Sequence, residues 1–186
     1  MKKAGAGSLE RGGPGIRVQR PIDSCSGRAT IIRVRTISRR RCVMSRAEVE
    51  QLDDRGMAAW DQHDSAGFAG LLADEFTFSD VMAPEPFRTR DQVQSYMDAW
   101  FSAFPDMHVK TTSRVVSDND VAAEVEFTGT NTGPLRMGDQ EIPATGKSVV
   151  GTGTYFASVK DGKIVSFRAH PDVASMMGQL GLMPRM

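Results

Sequence analysis

Residues Val149 to Leu182 read VVGTGTYFASVKDGKIVSFRAHPDVASMMGQLGL, and this stretch decides the fold. Two strand-like runs, Val149–Val159 and Lys163–Ala169, flank Lys160-Asp161-Gly162, and Asp-Gly is among the strongest short hairpin signals. The second run stops at Pro171, which has no N–H to give to a ladder and which biases His170 towards extended backbone. Asp172 follows where a helix N-cap belongs, ahead of Val173–Leu180, and Gly181 with Pro184 marks the helix stop. The chain therefore predicts a hairpin, a corner at His170 and Asp172, and a short closing helix.

Working back from that end, the apolar residues Val49, Leu52, Gly56, Ala59 and Trp60 follow helical spacing from Ser45 to about Gln62. Ser45-Arg46-Ala47-Glu48 matches a capping box at its start. Phe68, Leu71 and Leu72 predict a second short helix, and Glu75–Asp80 (EFTFSD) alternates as a strand. Val81–Arg88, with Pro84 and Pro86, is a loop. A third helix over Arg90–Ala103 presents Val93, Met97, Trp100 and Phe101 on one face. Met107–Val116 and Val121–Thr130 alternate as strands around Asp118-Asn119-Asp120. Asn131–Lys147, rich in Gly and Pro, is a long connection of the kind that often forms a functional rim. Strands gather at the end of the chain instead of alternating with helices, which predicts an α+β domain with an antiparallel sheet.

Charge divides the chain in two. Of 23 Lys+Arg and 23 Asp+Glu, residues 1–43 hold 11 bases and only two acids, leaving 12 bases against 21 acids in residues 44–186. The basic segment has no uninterrupted apolar run, so it lacks the core of a secretory signal. The expectation is a disordered extension ahead of a domain over 44–186, with Met44 as an alternative start. An organelle-targeting segment or a nucleic-acid arm is the competing reading, and nucleic acid is otherwise not an expected partner. Both cysteines, Cys25 and Cys42, fall in that extension, so the body has neither a disulfide framework nor a thiol nucleophile. A cysteine-free body fits a reducing, cytoplasmic setting, and no apolar run is long enough for a membrane span. Three scattered histidines without ligand spacing give no metal site. Gly151-Thr152-Gly153 lacks the following helix of a phosphate loop.

Four motifs in order carry a resemblance: Phe104-Pro105-Asp106, Thr128–Gly133 (TGTNTG), Pro143–Lys147 (PATGK), and Asp161–Val165 (DGKIV) leading to Asp172 and Gln179-Leu180-Gly181. Over about Ser45 to Pro184 the chain resembles the SnoaL-like polyketide cyclases of the nuclear-transport-factor-2-like superfamily. The resemblance implies a curved sheet wrapped around N-terminal helices to form a cone with an apolar pocket. It also implies ring closure by intramolecular aldol chemistry on a small enolisable apolar molecule, with no cofactor and no metal, and assembly as a homodimer. Asp172 matches the position of the family's acid/base aspartate. The family commonly has His where Asn131 stands and aromatic residues where Arg168 and His170 stand.

The candidate catalytic residues are Asp172 and His170; the candidate substrate contacts are Arg168, Tyr96, Trp100, Asn131 and Tyr155. Asp172 read without the family is an N-cap, worth about 1 kcal/mol. Arg168 and His170 share one strand parity, with Val165, Phe167 and Ala169 on the other, and either set can face the pocket. Tyr96 and Tyr155 are the only phenols, and either can donate to an enolate oxygen. The alternative to an enzyme is a non-catalytic module of the same fold that binds a small ligand or dimerises. Apolar residues on both parities of the closing strands predict a sheet that needs covering on both faces, hence a homodimer through its outer face.

Overall fold

The structure is a computed structural model and describes residues 44–137 and 140–183; the expectations for residues 1–43 lie outside the described residues. Helix α1 (Arg46–Asp61) starts at the expected capping box. The Glu48 N–H donates to Ser45 Oγ at 3.3 Å, and Glu48 Oε2 accepts from the Ser45 N–H at 2.7 Å. Helix α2 (Ser65–Leu71) is capped by Asp64. Strand β1 (Leu72–Asp80) begins three residues before the alternation that announces it. Leu72 is fully buried and pairs with Ile164, and a register shift before Thr77 absorbs the residues between. Helix α3 (Arg90–Ala103) opens on a Thr89/Gln92 capping box and buries Val93, Met97, Trp100 and Phe101.

Strands β2 (His108–Val116), β3 (Asp120–Thr130), β6 (Ser148–Lys160) and β7 (Lys163–Pro171) complete a five-stranded curved sheet of order β1-β7-β6-β3-β2. The fold is α+β, as expected, but the sheet is mixed: β1 runs parallel to β7, while the other pairs are antiparallel. A parallel pair needs a crossover connection, which the whole chain between β1 and β7 supplies. The long Asn131–Lys147 connection is not wholly irregular, since β4 (Leu135–Met137) and β5 (Gln140–Ile142) form a separate two-stranded ribbon.

The closing hairpin turns at Asp161 and Gly162, with φ of 51° and 78°, the doubly left-handed turn that Asp-Gly favours. Beyond the turn Val159 pairs with Ile164 but Ser158 pairs with Ser166. The extra residue, Val165, is a bulge that changes the phase of the strand. Ile164 and Phe167, three apart, therefore both face the core. Phase then holds to the end: Phe167 and Ala169 face inward, Arg168 and His170 outward, paired with Phe156 and Thr154. Helix α4 (Val173–Leu180) closes the fold, buries Met176 and Leu180, and stops at left-handed Gly181. Among the described residues no helix is long and apolar enough to cross a membrane.

Candidate active site

One cross-strand row sets the site. Residues paired across a sheet share a face, and Arg114, Ala123, Tyr155, Ala169 and Asp80 pair in turn across β2, β3, β6, β7 and β1. Helices α1 and α3 pack over this inner face. Between them lies a cavity of about 110 Å³, walled by Met57 and Trp60 from α1, Phe78 and Asp80 from β1, Tyr96 and Trp100 from α3, and Val125, Phe127, Tyr155, Phe167 and Ala169 from the sheet. Asp80 is the one carboxylate among the lining residues.

Asp80 reaches the cavity because Phe76, Phe78 and Asp80 occupy alternate positions of β1, and all three are buried. Its carboxylate accepts the Met82 N–H at 2.7 Å, folding the chain into a turn at the strand end. Phe87 then returns to pair with Phe78 through two backbone hydrogen bonds. Burial raises the Asp80 carboxyl above the usual aspartate range, against the opposing pull of the Met82 N–H, the Tyr96 hydroxyl and charge on His170. No Lys or Arg among the described residues forms an ion pair with it. Tyr96 faces it from α3, its ring 5.0 Å from Phe87 and 5.8 Å from Phe78. Burial first, and Asp80 beside it second, push the Tyr96 phenol well above its ordinary range, so it remains a proton donor. A buried carboxylate beside a protonated phenol, in an apolar cavity, suits removal of a proton from carbon next to a carbonyl.

The residues singled out by sequence divide between this cavity and other places. Tyr96 and Trp100 line it. Tyr155 lines it with its ring, stacked 5.0 Å from Phe167, while its hydroxyl points to Asp53 of α1. His170 borders the cavity, but its ring lies 6.2 Å from Phe156 on the outer face. Arg168 is on that outer face too, its guanidinium 5.3 Å from the Phe156 ring centre. Asn131 is fully buried as a structural hub. Its amide donates to the carbonyls of Ala103 and Gly133, and its oxygen accepts from the Thr145 N–H and hydroxyl. Asp172 is exposed and caps α4, accepting the Ser175 N–H at 3.0 Å; it borders a separate space with Thr112, Glu124 and Thr152.

Sequence reasoning missed Asp80, although a signal was present. The strand EFTFSD places Asp80 in phase with Phe76 and Phe78, and an acid in phase with two core aromatics is a buried acid. It missed Asp53 for a similar reason. Asp53 stands four residues after Val49 on the buried face of α1 and is only 6% exposed. Arg114 of β2 binds it at 2.9 Å and also reaches Glu50 and Asp54. Among the described residues no group of three His, Cys, Asp or Glu side chains is placed to hold a metal ion.

Comparison with known proteins agrees with the fold. The family profile for SnoaL-like polyketide cyclase matches residues 50–180. Among solved structures, AclR of Streptomyces galilaeus, a candidate hydroxylase, superposes with a TM-score of 0.66 at 22% identity, covering 76% of this chain and 86% of that one. IdmH of Streptomyces antibioticus, a candidate polyketide cyclase, gives 0.60 at 24% identity, covering 71% and 97%. A protein of ketosteroid isomerase-like fold from Catenulispora acidiphila gives 0.59 at 16% identity, covering 72% and 94%. No curated protein sequence matches the chain. At these identities the structures report the fold and nothing finer.

Proposed function

The chain belongs to the SnoaL-like polyketide cyclase family, and from that premise we propose that it is an acid–base enzyme acting without a cofactor on a small, enolisable, apolar molecule, with Asp80 as the base and Tyr96 as the donor. The observation that carries this reading is the position of Asp80, a buried carboxylate bordering an otherwise apolar cavity and facing a phenol. In the ionised form Asp80 takes a proton from the carbon next to a substrate carbonyl. The C–H electron pair moves into the new carbon–carbon double bond, the carbonyl electrons move to oxygen, and the Tyr96 hydroxyl hydrogen-bonds the enolate oxygen. In a cyclase the enolate carbon then attacks a second carbonyl of the same molecule. The resulting alkoxide recovers the proton held by Asp80, so the ring closes with no net proton change. Trp100, Phe127 and Phe167 exclude water and strengthen each of these contacts.

Exchange of ketone α-hydrogens in D2O, followed by proton NMR with 2-hexanone as the probe, tests the assignment. Asp80→Asn should lower the enzymatic exchange rate by about 10²–10⁴, the usual contribution of a positioned base. Loss falling on Asp172→Asn instead would move the base to the cap of α4. The exposed, capping position of Asp172 favours a second reading, a non-catalytic member that binds a small ligand, and a wild-type protein that binds the ketone without exchanging it would establish that one.

A further inference from the structure

The cavity at Asp80 is small. Its 110 Å³ is below the roughly 150 Å³ of an engineered apolar cavity that binds benzene, so it accepts a reacting head of a few carbon atoms. Anything longer must leave it, and two spaces among the described residues share lining residues with it. One, of about 430 Å³, shares Val125, Gly153, Thr154, His170 and Pro171 with the cavity, and the rest of its lining is Thr112, Glu124, Thr152 and Asp172. That exit is lined by hydroxyls and carboxylates. The other, of about 460 Å³, shares Tyr96 and Trp100 with the cavity and continues over Met82, Phe87, Ala99 and Leu135.

Three features join this second space to the proposed reaction centre. Its Met82 donates its N–H to the Asp80 carboxylate at 2.7 Å, so one wall of the groove is fixed to the base. Phe87, on the same wall, is pinned to Phe78 of the cavity by two backbone hydrogen bonds. The opposite wall is one stripe of α3: Asp91, Gln92, Ser95, Tyr96, Ala99 and Trp100 recur at helical spacing, which gives a track of about 13 Å from the rise per residue. Among the described residues Arg136 is the groove's one cationic side chain, and it is paired with Glu141 at 3.2 Å, so no described residue there calls for an anionic tail.

We propose that the groove between the 81–89 loop and α3 is the tail site of the substrate whose head reacts at Asp80, and that it takes an uncharged aliphatic chain extending past Tyr96. The proposal rests on the acid–base reading only for where the head sits; the groove itself is tested by binding. The probes are 2-alkanones of increasing length, with a constant methyl-ketone head, and a long methyl ketone carrying a diazirine at its far end. In wild-type protein, irradiation should place the label on residues 82–99 or on Leu135; label on Thr112, Glu124 or Thr152 would put the tail in the polar exit and overturn the proposal. Dissociation constants from tryptophan fluorescence should fall with each added methylene, by about fourfold at full burial. Ala99→Trp, which fills the groove, should flatten that dependence, and Thr152→Trp, which lines only the other exit, should leave it. Affinity independent of chain length in the wild type, or a dependence that survives Ala99→Trp, overturns the proposal. Length-dependent binding without any α-hydrogen exchange keeps the groove and removes only the acid–base reading.

Discussion

The hydroxyl of Tyr155 lies 2.8 and 2.9 Å from the two carboxylate oxygens of Asp53, beneath the cavity wall that the Tyr155 ring forms. Both groups are buried, and Arg114 completes the pair with a guanidinium nitrogen 2.9 Å from Asp53. Burial, with Asp53 beside it, pushes the Tyr155 phenol far above its usual range, so the hydroxyl stays protonated and committed to α1. The two phenols of the cavity therefore differ in what they can do. Tyr155 is tied down; Tyr96 faces the cavity's own carboxylate.

Tyr155→Phe should destabilise the fold by about 1.5–3 kcal/mol, the range for a hydrogen bond to a charged group, and leave α-hydrogen exchange within a few-fold of wild type. Denaturant unfolding and the ketone exchange assay read the two effects. A hundredfold loss of exchange at unchanged stability would instead make Tyr155 the enolate donor.

Activity and stability should respond to pH in opposite senses through Asp80. As the proposed base, Asp80 would work ionised, so kcat/KM should rise with pH through a midpoint above the ordinary aspartate range. No falling limb from Tyr96 should follow below about pH 10, because its phenol titrates well above that. For stability, the folded-state pKa is raised, so between the unfolded and folded values the native state binds more protons than the unfolded chain. Stability falls as pH rises through that interval. Asp80→Asn escapes this loss and should melt above wild type at pH 7, with the gap closing below the ordinary aspartate value of 3.8. Equal melting temperatures at neutral pH would mean that Asp80 is not strained by its burial.

At the end of the sheet, Asp172 meets the requirements of a cap, with its carboxylate on the Ser175 N–H. Asn caps as well as Asp, so Asp172→Asn should leave the melting temperature nearly unchanged, while Asp172→Ala should cost about 1 kcal/mol. Equal losses for both substitutions would show that the negative charge matters beyond the cap.

Much of this architecture is legible in the chain because it is encoded locally. The Ser45/Glu48 capping box, the Asp161-Gly162 turn and the Asp172 and Gly181 helix ends are each written within a few residues, and each stands where the spacing puts it. What local signals do not contain is pairing. Nothing near Leu72 or Ile164 announces a parallel partner almost a hundred residues away, and the Val165 bulge becomes visible only against Val159 and Ser158. The facing of Arg168 and His170 depends on that bulge, so parity alone left two answers open. The candidate site followed the same division. Tyr96 and Trp100 were reachable from the apolar stripe of α3, whereas Asp80 needed the inference that an acid in phase with Phe76 and Phe78 is buried with them.

The space above Gly151 belongs to another side chain. A Cβ built at that position would overlap the ring of Phe127, the residue paired with it on β3 and a wall of the cavity. Gly151→Ala should therefore displace Phe127 and cost about 1–3 kcal/mol, the range for overpacking a filled site. Gly151→Ala combined with Phe127→Leu should recover part of the loss. Thermal unfolding of the three proteins reads this, and a single substitution as stable as wild type would show that the ring moves freely.

On the outer face of the sheet, Val115, Ala122, Phe156 and Arg168 pair in turn across β2, β3, β6 and β7. Val115 is 69% and Phe156 43% exposed, while the helices α1 to α3 are engaged on the opposite face. We propose that a second copy covers this row, joining the two sheets about a twofold axis so that the same patch meets itself. Phe156→Arg tests this directly. The new cation would lie beside Arg168 and would be buried against its own copy, where an unpaired charge is costly. The wild type should sediment as a dimer at micromolar concentration and Phe156→Arg as a monomer, with the cavity on the inner face left in place and its ketone binding retained. A wild type that sediments as a monomer, or a Phe156→Arg protein that stays dimeric, would place the assembly elsewhere or remove it.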